Sequence, residues 1–159
     1  MAKRIDKKRI LIYSLVFSPD GVSTAYLYND LALGFKKKGY EVTVLTSTPH
    51  YNLTKESLDK QPLQKKIFGL IYTSIFNGIR IYHIPLKKYK SHLVRILSFI
   101  YWHIASFIIG LFLKKPDIIL SPSPPLTNGL VAILLAKIKG AKSIYNIQEI
   151  YPDLLIKLG

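Results

Sequence analysis

The 159 residues contain no cysteine, which removes disulfides, thiolate metal ligation and a cysteine nucleophile together and fits a reducing compartment. Acidic side chains are scarce, nine against 23 lysines and arginines, and the formal net charge is +14. A surface this electropositive points to an anionic partner; nucleic acid, acidic phospholipid and a diphosphate-bearing substrate all satisfy it on charge alone. The glycines of a dinucleotide fingerprint and the Gly-Lys-Ser/Thr of a Walker loop are both missing, which argues against an ordinary dehydrogenase or ATPase. His83, His92 and His103 are scattered with no metal-ligand spacing, so neither a structural metal nor a cofactor is expected. Helix-turn-helix, zinc-finger and RNP-type aromatic patterns are also lacking, and nucleic acid is therefore not an expected partner. The basic opening of the chain is followed by only a short apolar stretch, residues 10–17, interrupted by Tyr13 and Ser14 and without a small-residue cleavage site, unlike a signal peptide.

What is present alternates regularly. Residues 9–17, RILIYSLVF, form a continuous apolar run ended by Ser-Pro-Asp-Gly, as a parallel strand buried on both faces requires. A helix follows, with Ser23 or Thr24 as its cap, Leu27, Leu31 and Phe35 on one face, and lysines before Gly39. Residues 41–46, EVTVLT, give the next strand and close a βαβ unit. Residues 47–66 are polar and lysine-rich, the composition of a long surface loop. Asn77-Gly78 marks a tight turn into a strand over 79–84. Further on come a strand at 117–121, a helix at 125–139 stopped by Gly140, and a strand at 142–147. The expectation is one α/β domain over 1–159, a Rossmann-like parallel sheet with helices on both faces, cut at a domain's edge near Gly159.

In such sheets ligands gather beyond the carboxyl ends of the strands, so the loops there carry the candidate residues. Ser18, Asp20 and Gly21 precede a helix whose free N–H groups suit phosphate, although Asp-Gly is also a plain turn. His50 follows the second strand, placed to donate to a sugar hydroxyl or phosphate or simply to meet solvent. Ser121 and Ser123 stand in a rigid Ser-Pro-Ser-Pro-Pro segment. Asn146, Gln148, Glu149 and Asp153 concentrate two amides and two carboxylates within eight residues; the plain alternative for Asp153 is helix capping after Pro152.

These segments, in this order, resemble the amino-terminal domain of family 4 glycosyltransferases of the bacterial colanic-acid, O-antigen and capsule type. The matching stretches are ILIYSLVFSPDGVST, KKKGYEVTVLTSTPHYN, NGIRIYHIP and KPDIILSPSPPLTNGLVAILLAKIKGAKSIYNIQEIYPD. The resemblance implies one half of a GT-B architecture, the half that holds the acceptor, with most of a nucleotide-sugar donor bound by a second domain. It implies Glu149 and Asp20 as catalytic candidates, and Ser18, Gly21, His50, Ser121, Ser123, Asn146, Gln148 and Asp153 as donor-phosphate or acceptor contacts. The first loop has one glycine where that family usually has a pair, and Glu149 stands where an aspartate is commoner. The family's paired-glutamate donor motif has no counterpart, so sugar transfer by these residues alone is not expected.

Residues 91–115, SHLVRILSFIYWHIASFIIGLFLKK, hold an uncharged run at the lower limit for crossing a bilayer. Lys87, Lys88, Lys90 and Arg95 flank it on one side and Lys114 and Lys115 on the other, so the one-sided charge of a spanning helix is absent. An interfacial helix is expected, with a buried core helix and a spanning helix as alternatives. In the interfacial arrangement His103, Ser106 and Gly110 pack on the domain while Phe99, Trp102 and Phe107 meet lipid. The resemblance implies a polyprenyl-diphosphate-linked glycan acceptor, which places the protein in the cytoplasm, peripheral at the inner face of the cell membrane and against an anionic surface. The competing reading from another class is a non-catalytic membrane subunit that recruits a separate catalytic half.

Overall fold

The computed structural model describes residues 7–87 and 89–148. Its frame begins with β1 (Arg9–Tyr13), α1 (Ser23–Lys37) and β2 (Glu41–Ser47), which form the parallel βαβ unit expected from the apolar runs. The expected loop that follows contains two short elements, α2 (Lys55–Lys60) and β3 (Gln64–Lys66). Thr54 caps α2 reciprocally with Ser57, a local device that composition does not advertise. Next come β4 (Ile71–Phe76), β5 (Ile79–Ile84), α3 (His92–Phe112), β6 (Ile118–Pro122), α4 (Thr127–Lys139) and β7 (Lys142–Asn146).

The sheet has seven strands in the order β3-β4-β5-β2-β1-β6-β7. From β5 to β7 every pairing is parallel, whereas β3 and β4 are antiparallel additions at one edge. The expected parallel sheet is therefore mixed. The cause is the Asn77-Gly78 turn: both residues take positive φ, 46° and 75°, which closes a two-residue hairpin and forces β4 to run against β5.

Both faces of the sheet are covered, and β1 shows why its sequence is apolar throughout. Ile10 and Ile12 join Tyr28 and Ala32 of α1 in one core, while Leu11 and Tyr13 join Trp102 of α3 and Ala132, Leu135 and Ala136 of α4 in the other. In α1 the inward stripe is Ala25, Tyr28, Asn29 and Ala32, and Val22 occupies the cap position without a side-chain bond. Leu31 and Phe35 pack at its margin but Leu27 is exposed, because Tyr28 and Ala32 already fill the space over β1 and β2.

The helix α3 corrects the expected orientation of its aromatic residues. Its buried stripe is Trp102, Ser106 and Gly110, spaced by four, so Ser106 and Gly110 pack inward as expected. Trp102 goes in with them instead of meeting lipid: it is wholly buried and stacks on Tyr13 with ring centroids 5.4 Å apart. Phe99 and Phe107 are partly buried against the same core. His103, half-buried, lies 3.0 Å from the Tyr13 hydroxyl through Nδ1 and 2.8 Å from Thr127 Oγ1 through Nε2, tying α3 to β1 and α4. The face turned away from the domain is a ridge of Leu93, Leu97, Ile100, Ile104, Ile108 and Phe112, with Phe112 84% exposed. By length and composition α3 suffices to cross a membrane, and only 17% of its most apolar window is buried.

Candidate functional site

The carboxyl ends of β1, β2, β6 and β7 converge on the amino-terminal end of α1. On one side the β1 and β2 loops are stitched together: Gly21 N–H donates to the Tyr51 carbonyl at 2.9 Å and Asn52 Nδ2 donates to the Gly21 carbonyl at 2.9 Å. A Cβ on Gly21 would lie 2.9 Å from the Asn52 carbonyl oxygen, so the single glycine of this loop is required by that close approach.

Asp20 is the centre of this stitching. Its Oδ1 accepts from the backbone N–H of His50 at 2.8 Å and of Tyr51 at 2.7 Å, and the residue is 2% exposed. Burial raises its pKa, opposed by these hydrogen bonds and the neighbouring His50. Its Oδ2 is buried with no hydrogen-bond partner among the described residues. With Oδ1 doubly engaged and the group out of solvent, Asp20 holds the loops after β1 and β2 in register. His50 in turn donates from Nδ1 to the Thr48 carbonyl at 2.7 Å and packs against the Tyr51 ring, centroids 4.3 Å apart.

Ser18 anchors a polar chain that sequence inspection misses. Its hydroxyl donates to Gln61 Oε1 at 2.6 Å; Gln61 Nε2 donates to Ser74 Oγ at 2.8 Å; Ser74 lies 2.8 Å from His83 Nε2; and His83 Nδ1 lies 3.0 Å from the Ser47 carbonyl. A carbonyl only accepts, so His83 donates through Nδ1 and its Nε2 accepts the Ser74 hydroxyl proton. Every member is buried, and burial pushes the His83 pKa down to about 4, keeping the ring neutral. The chain ties the β1 loop, the end of α2, the β4–β5 hairpin and the end of β2 into one unit. Gln61 sits in a lysine-rich stretch, and only its position before Pro62 sets it apart.

On the other side of α1, Ser123 N–H donates to the Asn146 carbonyl at 2.9 Å and Ser123 Oγ accepts from Gln148 N–H at 3.0 Å. Asn146 Nδ2 donates to the Tyr28 hydroxyl at 3.2 Å, and Gln148 Oε1 lies 3.5 Å from Thr24 Oγ1 in the first turn of α1. Ser121 Oγ and Gln148 Nε2 are buried with no partner among the described residues. The candidates thus fall into two groups flanking one helix end: Ser18, Asp20, Gly21 and His50, then Ser121, Ser123, Asn146 and Gln148. Glu149 and Asp153 lie outside the described residues. Among the described residues no group of three or more His, Asp or Glu side chains is placed to hold a metal ion.

No protein-family model matches the chain. A colanic acid biosynthesis glycosyl transferase of Escherichia coli, WcaI, is 26% identical over 160 residues, covering 95% of this chain and 36% of its own length. Among solved structures, the catalytic domain of starch synthase IV from Arabidopsis thaliana, bound to ADP and acarbose, superposes with a TM-score of 0.66 at 16% identity over 89% of this chain and 34% of that one. The sequence similarity is to a glycosyl transferase, and the structural likeness, at 16% identity, is one of fold. The fold is accordingly one half of a GT-B architecture. The same layered α/β arrangement recurs in the C-terminal domain of a hydrogenase from Pyrococcus furiosus, with a TM-score of 0.53 at 16% identity over 88% of this chain and 90% of that one. The chain spans about a third of the length of each of the two transferases, WcaI and the starch synthase.

Proposed function

We propose that this domain is the acceptor-side half of a glycosyltransferase that moves a sugar from a nucleotide-sugar to a lipid-linked glycan in surface polysaccharide synthesis. The observation that carries the reading is the convergence of the β1, β2, β6 and β7 loops on the start of α1, in a chain whose relative in colanic acid biosynthesis matches 95% of it. That helix end offers backbone N–H groups and the positive end of a dipole to a donor diphosphate entering from a second domain. The first turn of α1 contains no acidic residue to repel it. Around it Gly21, His50, Ser123 and Gln148 supply the backbone, imidazole, hydroxyl and amide groups that sugar hydroxyls pair with. Glu149 and Asp153, outside the described residues, are the carboxylates assigned to this reaction. The donor would be carried mostly by the second domain, so transfer needs both halves.

A polyprenyl-diphosphate carrier suits the +14 charge and the apolar outer ridge of α3, which together favour a peripheral position on an anionic membrane at its cytoplasmic face. Membranes from cells producing this domain together with its donor-binding half should move labelled sugar from a nucleotide-sugar into lipid-extractable product. Transfer to water-soluble sugars alone would overturn the lipid-linked acceptor. Absence of any transfer would overturn the reading as a whole.

A further inference from the structure

A cavity of about 340 Å³ opens beside the candidate site, between the loops after β1, β2 and β5 and the first turns of α3. Its walls are Leu15, Leu86, Ile96, Phe99 and Ile100, and its polar lining includes His50, Lys87 and Arg95; among the described residues none that lines it is acidic. Sugars are recognised by amides, carboxylates and hydroxyls, so walls this apolar fit hydrocarbon, while a lysine and an arginine at its edge fit a phosphate. Arg95 Nη2 lies 3.0 Å from His92 Nδ1, which accepts from it and so steadies the guanidinium at the helix start. The first turn of α3 carries no acidic residue and no side-chain cap, so the helix adds its own positive end.

Ile96 and Ile100 decide what kind of hydrocarbon fits. They line the cavity and are also 56% and 48% exposed; Ile104 and Ile108, 55% and 46% exposed, continue the same four-residue spacing along the outside of α3. The cavity therefore opens onto an apolar track, which a long chain can follow and a compact apolar molecule cannot use.

We propose that this groove seats one molecule of a membrane-resident isoprenoid or acyl phosphate, its phosphate on Lys87 and Arg95, its first carbons against Leu86, Phe99 and Ile100, and its remaining chain along the α3 ridge. His50 lines the groove from the β2 loop that Asp20 holds, so the lipid phosphate would sit directly beside the loops that would receive the glycan. The assignment of that lipid as the acceptor's carrier rests on the acceptor-side reading above.

Calorimetric titration tests the groove, with farnesyl diphosphate, inorganic diphosphate and farnesol as probes. Farnesyl diphosphate should bind saturably at one site. It should bind about tenfold or more weakly to Lys87→Gln/Arg95→Gln and to Ile100→Ser, and the other two probes at least tenfold more weakly to the unaltered protein. Equal binding by the double variant, inorganic diphosphate as tight as farnesyl diphosphate, or attachment only to anionic vesicles without a saturable site would each overturn it. Those results with sugar transfer to lipid intact would remove the groove alone. Saturable, variant-sensitive binding without transfer would support the groove and remove the acceptor assignment.

Discussion

Trp102→Ala should cost the fold about 3–5 kcal/mol, the range for removing a fully buried large aromatic side chain. The side chain has no exposed surface, stacks on Tyr13 at 5.4 Å and on Phe99 at 6.0 Å, and packs in the core that α3 and α4 share with β1, β2 and β6. Domains of this size have total stabilities of about 5–15 kcal/mol, so the variant should lose about a fifth or more of it, with Tm falling by roughly 6–20 °C. Urea denaturation followed by circular dichroism reads this directly. The result bears on α3 as a whole: a loss below about 1 kcal/mol would mean that the helix does not cover the sheet and is free to leave it for a bilayer.

The second large effect is a pH dependence set by His83. In the folded protein burial holds this imidazole at about 4, below its ordinary value of 6.5, so the native state leaves it neutral while the unfolded chain protonates it. Between those two values the unfolded state binds more protons, and stability falls as pH drops through about 6.5, levelling off below about 4. At 1.36 kcal/mol per pH unit the contribution present at pH 7 and lost by pH 4 is about 3 kcal/mol. Burial raises the Asp20 pKa, so that group works with the opposite sign at the acid end. Comparison with His83→Gln isolates the histidine. The variant should be less stable than the parent at pH 7 through the broken Ser74 and Ser47 contacts, yet lose about 3 kcal/mol less between pH 7 and pH 4. Parallel acid profiles for the two proteins would show that His83 is not a buried neutral base.

These two residues also mark where the sequence stops being informative. The strands are legible because a strand packed on both faces has to be apolar along its whole length, as RILIY of β1 is, and the β4–β5 hairpin is legible because Asn77-Gly78 admits positive φ cheaply. The inward face of α3 is not legible in the same way. Nearly every position from Ile96 to Phe112 is apolar or small, so period 3.6 gives no contrast between inside and outside, and the partner decides: Tyr13 of β1 takes Trp102. Leu27 of α1 is the same case at smaller scale.

Of the candidate site, the loops at the strand ends follow from topology, because an open parallel sheet presents its carboxyl edge to ligand. The roles inside those loops depend on non-local partners. Asp20 meets His50 and Tyr51, about thirty positions away, and Ser18 meets Gln61 at a separation of 43. No local pattern encodes either contact. Lys87 and Arg95 are visible in the sequence as flanking charge; that they share one apolar cavity with His50 depends on how α3 lies across the ends of β1 and β5.

In the proposed function the carboxyl edge of the sheet, around the start of α1, receives a lipid-linked acceptor. Backbone amide NMR of the isotope-labelled domain, titrated with a prenyl-diphosphate-linked oligosaccharide, tests it most directly. Shifts should concentrate at Gly21, His50, Ser123 and Gln148 and at the first turns of α3, and leave the opposite strand ends at Arg9, Glu41 and Lys142 unmoved. Shifts confined to those opposite ends, or none while duplex and single-stranded nucleic acid produce them, would contradict it.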